Sequence, residues 1–146
     1  MLDATASMKK HIEAVKLEMK TLLETLLKSY ISIRVALILY RDYYEDFVVR
    51  EACVFTWDMD KFLNALNAVK VAGGGDIPEA VYEGAFLALR QSWRLRDENV
   101  VKKIILIGDA PPHNKPRGKV KKSDVEDMAR DKEIEINTIL ITSLPK

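Results

Sequence analysis

An α/β fold with a mostly parallel sheet is predicted by three features of the 146-residue sequence. Segments with apolar residues at steps of three and four alternate with short apolar runs rich in branched residues. Two of those runs, "ISIRVALILY" and "KIILIG", are apolar almost throughout, as strands covered by helices on both faces are. A short polar turn, "RDYYED", joins the first run to "FVVREACVF", and a connection of that length permits only an antiparallel neighbour. The result is a Rossmann-like three-layer sandwich, its sheet mostly parallel with one antiparallel strand at the edge and right-handed crossovers between the rest.

The elements follow in order. From Ser7 to about Ser29, Met8, Ile12, Val15, Met19, Leu22, Leu23 and Leu26 mark one buried face of a long amphipathic helix. The central strand "ISIRVALILY" and the edge strand "FVVREACVF" come next. Asp58 caps a helix whose inward face is Met59, Phe62, Leu63, Leu66 and Val69, and which Gly73 to Gly75 end. Pro78 suits the first turn of another helix, with Val81, Ala85, Ala88 and Leu89 facing inward. "VVKKIILIGDAPPH" is a second buried strand running into a loop that two prolines keep from becoming a helix. Ser123 and Glu126 make a capping-box pattern for a further helix, and "EIEINTILIT" is the last strand.

Composition narrows the function classes. A hydrophobic content of 48% suffices for the core of one domain spanning residues 1–146. Charged side chains are 31% of the chain but sum to +1, so nothing in the balance calls for nucleic acid or an anionic membrane. No apolar run approaches the roughly 18 residues of a membrane span, and the first residues lack the apolar core of a signal peptide. The single cysteine, Cys53, excludes an internal disulfide and reads as a small packed thiol. These features leave the compartment open, with a lean toward a cytoplasmic setting.

Ligands of such sheets bind at the carboxyl ends of the strands, where strand order reverses. Asp3 and Asp109 both fall at strand ends, and Asp76 lies in a glycine-rich loop before a helix, so all three can converge on one crevice. Near Asp3 stand Thr5 and Ser7, at alternate positions in "MLDATASM". Such residues are also the preferred helix N-caps, so the stretch alone is more often a cap than a ligand set. Taken together, hydroxyls and carboxylates without sulfur or imidazole form a hard-oxygen set suited to Mg²⁺, Mn²⁺ or Ca²⁺ rather than zinc.

The stretches "DATASM", "GGGDIPEA" and "LIGDAPPH", in that order, resemble the von Willebrand factor A domain and its metal-ion-dependent adhesion site. That site is written DxSxS, then a loop Thr or Asp, then a strand-end Asp. The wording is most similar to A domains of hemicentin-like proteins and of proteins carrying an alpha-type kinase. The resemblance implies a cation held directly by Thr5 and Ser7, with Asp3 and Asp109 orienting its waters or reaching it at close range. Asp76 would occupy the loop position often held by threonine. The remaining coordination place would take a carboxylate from a partner protein, and the first helix would add a favourable dipole for that anion. Asp76 in place of a neutral threonine implies tighter metal retention and a weaker pull on the partner carboxylate. The family fold also delivers Asp3 from a strand in the middle of the sheet, of which only Met1 and Leu2 precede it here, and continues beyond "EINTILIT". The expectation is therefore a partial domain, truncated at both ends, with its first central strand largely missing.

Other residues carry both a functional and a plainer reading. Glu79 could accept a hydrogen bond near the metal, or simply complement a helix dipole. Asp42 reads as a turn former, His113 as a loop imidazole and His11 as a surface residue. The run "KPRGKVKK" reads as a solvated loop, Tyr43 and Tyr44 as a hairpin turn or contact surface, and Trp57 and Trp93 as separate core-edge packing. Two competing functions remain. A Mg²⁺-dependent phosphatase of the haloacid-dehalogenase type also uses an early strand-end aspartate, but Ala4 and Thr5 follow Asp3 where it needs a second acid. In a metal-free structural fragment, the same oxygens would only cap and turn.

Overall fold

The computed structural model describes residues 1–43, 46–73, 80–110 and 118–141. Along the chain these form β1 (Leu2–Asp3), a 3-10 turn (Ala6–Lys10), α1 (Ile12–Ser29), β2 (Val35–Tyr40), β3 (Val49–Thr56) and α2 (Met59–Asn67). They continue with α3 (Val81–Leu89), β4 (Lys103–Gly108), α4 (Lys122–Asp131) and β5 (Glu135–Leu140). The sheet has the order β3-β2-β1-β4-β5, parallel throughout except for β3, which pairs antiparallel with β2 at the edge. β1 is two residues long yet stands in the middle, Leu2 aligned with Leu39 on one side and Ile107 on the other. The Met1 amino group donates to the Ile105 carbonyl at 2.9 Å, and its burial pushes the amine down to about 5.

Alternation along the buried strands produces the three layers. Leu37 and Leu39 face one side, where they join Met8, Ile12, Val15, Phe62 and Leu66 of the first two helical elements and their approach. Ile38 and Tyr40 face the other, against Val81, Ala85, Ala88 and Leu89 of α3 and Val125 of α4. Cys53 is buried in the first of these clusters, a packed thiol as its strand position predicts.

Several boundaries depart from the sequence reading. The α-helix begins at Ile12 rather than Ser7, because the chain first makes the 3-10 turn, with Met8 N–H bonded to the Thr5 carbonyl at 3.1 Å and His11 N–H to the Met8 carbonyl at 2.8 Å. Along its later half the buried face thins, and Leu22 is 38% exposed. Asp58 does cap α2, accepting from Lys61 N–H at 3.1 Å, but α2 ends at Asn67, well before the glycines. Gly73 instead takes a left-handed φ of 73° in the following loop. α4 starts at Lys122, earlier than a Ser123 cap would allow, and it is Asp124 that reaches back to accept from Lys121 N–H at 2.8 Å. Pro78, Gly74, Gly75, Tyr44 and His113 lie outside the described residues.

Candidate functional site

Asp3 closes β1, in register with Tyr40 at the end of β2 and adjoining the end of β4, after which comes Asp109. The carboxyl ends of three parallel strands thus meet at one point, as the topology requires. Gly108 is essential to that approach. A Cβ there would collide with the Tyr40 hydroxyl and come within 3.2 Å of Asp3 Cβ.

Asp3 and Thr5 are fully buried, Asp109 is half-buried, and Ser7 is exposed at the mouth. Thr5 donates to Asp3 Oδ1 twice, from its backbone N–H at 2.9 Å and from Oγ1 at 2.6 Å. Ser7 Oγ donates to Asp109 Oδ1 at 2.9 Å. The two hydroxyl oxygens themselves lie 3.0 Å apart. Four oxygens therefore form a continuous chain from carboxylate to carboxylate with three short contacts, while the two hydroxyls own one proton each. When both carboxylates are ionised and both hydroxyls point at them, the Thr5 to Ser7 contact is left without a proton. Asp3 Oδ2, also buried, has no hydrogen-bond partner among the described residues.

The Asp3 carboxyl is raised to about 6, chiefly by burial and in smaller part by the nearby Asp109 charge, against the opposing pull of its Thr5 hydrogen bonds. A proton on Asp3 would supply the missing donor to this chain of oxygens, and a cation between the hydroxyls would use the lone pairs left over. The set contains only oxygen and suits a hard cation. Among the described residues no group of three or more His, Cys, Asp or Glu side chains comes together as a metal cluster. Of the sequence-predicted ligands, Asp3, Thr5, Ser7 and Asp109 are thus in mutual contact, while Asp76 and Glu79 lie outside the described residues.

The loop leading toward Asp76 is nonetheless fastened to the site. Ala6 N–H donates to the Gly73 carbonyl at 3.2 Å, and Ala72 N–H to the Ala4 carbonyl at 3.1 Å. On the far side, Ala80 N–H donates to the Arg41 carbonyl at 3.0 Å. Arg41 is the residue that the sequence reading missed. Its guanidinium is buried, and donates from Nε to the Ala4 carbonyl and from Nη2 to the Lys70 carbonyl, both at 3.0 Å, with the Phe47 ring 4.3 Å from its carbon. The only signal was its place immediately after a buried strand, within a stretch taken as a polar turn.

Its neighbours depart from expectation as well. Asp42 is 2% exposed, too buried for a simple turn former. Tyr43 is half-buried, not a free contact surface, and donates to Glu83 Oε1 of α3 at 2.5 Å, its phenol pushed up to about 12 chiefly by burial. His11 is half-buried at the junction of the 3-10 turn and α1.

A family model described as von Willebrand factor A domain matches residues 1–146. The chain belongs to the von Willebrand factor A domain family. Among curated proteins it is 32% identical over 117 residues to the alpha-protein kinase vwkA of Dictyostelium discoideum, a match covering 77% of this chain and 18% of that protein. Among solved structures, the conserved hypothetical protein BatB from Bacteroides thetaiotaomicron superposes with a TM-score of 0.64 at 20% identity, over 94% of this chain and 62% of the other. That likeness carries the fold. The chain spans under a fifth of the kinase's length, so the kinase activity in that protein's name is a property of the larger protein.

Proposed function

We propose that this von Willebrand factor A domain is a non-catalytic, metal-ion-dependent protein-binding module. It would hold Mg²⁺, or Mn²⁺ or Ca²⁺, through Asp3, Thr5, Ser7, Asp76 and Asp109, and bind an acidic side chain of a partner protein through the metal. Members of the family generally bind metals and mediate protein–protein interaction, and the finer assignment rests on one observation. The chain of four oxygens from Asp3 to Asp109 has one proton too few for its short contacts, and lone pairs of Thr5 and Ser7 are free for a cation. Neutral hydroxyls leave much of the cation's charge uncompensated, which favours an incoming carboxylate. Asp76 is included because both ends of its loop, Gly73 and Ala80, are tied beside the site.

The phosphatase reading finds less support. Ala4 is fully buried and Thr5 Oγ1 is committed to Asp3, so neither of the two positions after Asp3 offers a second acid.

Calorimetric titration with Mn²⁺ tests the assignment. The wild-type chain binds with 1:1 stoichiometry, Ser7→Ala and Asp109→Asn weaken binding at least about tenfold, a loss of one charge-assisted ligand, and Asp76→Thr weakens it less. Equal heats for wild type and Asp109→Asn would remove the site.

A further inference from the structure

A second cluster lies at the opposite end of β2, about 20 Å from Asp3 at the rise of a six-residue strand. Arg34 immediately precedes β2, Phe55 and Trp57 stand at the end of antiparallel β3, and Arg90, Trp93 and Arg94 follow α3. The Arg34 guanidinium carbon is 4.8 Å from the centre of the Phe55 ring and 5.3 Å from that of Trp57, which Arg94 also approaches to 5.3 Å. Trp93 meets Phe55 edge-on at 4.8 Å and is anchored by its indole N–H on the Ala88 carbonyl at 2.9 Å. The two tryptophans, read from sequence as separate, are therefore bridged by Phe55 and Arg34.

Two guanidinium groups on one aromatic ring repel each other, and none of Arg34, Arg90, Arg94 and Arg96 has a carboxylate within salt-bridge distance among the described residues. Arg34 is positioned by a bond to the Ser92 carbonyl at 2.9 Å. Burial and the nearby Arg94 charge both lower its pKa. On one side of Arg34 opens a cleft of about 310 Å³, lined by Arg34, Arg90, Ser92 and Phe55, with Glu51 the one acid on its wall. Trp57, 60% exposed, lies outside that cleft and joins Arg34 to Arg94, which both approach its ring.

We propose that this corner docks an acidic peptide segment of a partner protein. A carboxylate bridges Arg34 and Arg94, and the peptide's apolar stem rests on Trp57. Charge complementarity selects the class. Planar guanidinium forks match carboxylates in two-bonded geometry, and a bridging anion removes the repulsion between the two arginines. One exposed ring and a short cleft that carries its own carboxylate fit a peptide better than the long basic groove and stacked aromatics that track a nucleic-acid strand. The proposal is independent of the metal site.

Fluorescence anisotropy of the whole chain in EDTA tests it, using a labelled peptide rich in Asp and Glu, its Asn/Gln counterpart, a phosphoserine peptide and a thymidine oligonucleotide of equal charge. The acidic peptide binds in preference to the other three, and more weakly as salt rises. Arg94→Gln and Arg34→Gln each weaken it about tenfold, as loss of a central arginine anchor does, and Asp109→Asn leaves it unchanged. Arg94 is partly exposed, and a thermal melt of each variant verifies that it folds. Equal binding of the Asn/Gln peptide, unchanged affinity in folded Arg94→Gln, or tighter binding of the phosphopeptide or oligonucleotide would overturn the proposal.

Discussion

Asp3 sits where two demands conflict. Its place at the end of a central strand buries it, and burial favours the protonated acid, whereas a cation site needs the carboxylate. The folded-state value of about 6 lies above the unfolded chain's 3.8, so between those two values the folded state binds more protons than the unfolded one. Asp3 therefore lowers stability as pH rises from about 4 to about 6 and the cost stays in place above that, on the order of 2–3 kcal/mol. In EDTA, urea melts of wild type and Asp3→Asn should diverge across that window, the asparagine variant gaining relative stability as pH rises. The comparison cancels the Met1 amine, lowered from 8.0 to about 5, whose contribution runs the other way and rises with pH between those values. Parallel pH profiles for the two proteins would show that Asp3 is not held in this state. That Asp3, Thr5, Ser7 and Asp109 could meet was legible because the first three alternate along one short stretch and both aspartates fall at strand ends. The proton deficit was not, because it depends on Ser7 reaching Asp109 across 102 positions of sequence.

Between elements, the site is held by a residue with no part in the ligand set. Arg41 ties the backbone at Ala4 to that at Lys70, and so joins the end of β1 to the loop that leads to Asp76. Arg41→Met would keep the stem and the packing on Phe47 while leaving the Lys70 carbonyl short of its donor, at a cost of about 1–3 kcal/mol. Chemical denaturation should show that loss, and Mn²⁺ affinity should fall with it although every proposed ligand remains. Full affinity in the variant would mean that the loop needs no such tie. Sequence patterning located the strands well because Leu37 and Leu39 face one layer and Ile38 and Tyr40 the other, which an unbroken apolar run announces. It misplaced the start of α1 because the 3-10 turn is set by bonds from Thr5 to Asp3 and from Ala6 to Gly73, and periodicity does not register either. The burial of Arg41 was equally hidden, since it depends on carbonyls brought together only by the folded sheet.

At the scale of the whole molecule, the sheet separates two surfaces of opposite character. Its carboxyl end gathers the acidic and hydroxyl oxygens around Asp3, and its other end gathers Arg34 and Arg94 around Trp57, with Arg90 across a cleft from Arg34. The net charge of +1 averages these two surfaces away, which is why composition pointed to no partner class. The order β3-β2-β1-β4-β5 makes both sites possible, because β1 lies between β2 and β4 and carries Asp3 to their shared edge. A cation that binds only the folded chain must stabilise it by mass action, and this links the oxygen site to the stability of the whole domain. The most direct measurement is a thermal melt followed by circular dichroism, in EDTA and then in millimolar Mn²⁺, for wild type and Asp109→Asn. The account predicts a wild-type midpoint higher by about 5–10 °C at a cation concentration one hundred times the dissociation constant, and little change in Asp109→Asn. Superimposable wild-type melts with and without Mn²⁺ would contradict it.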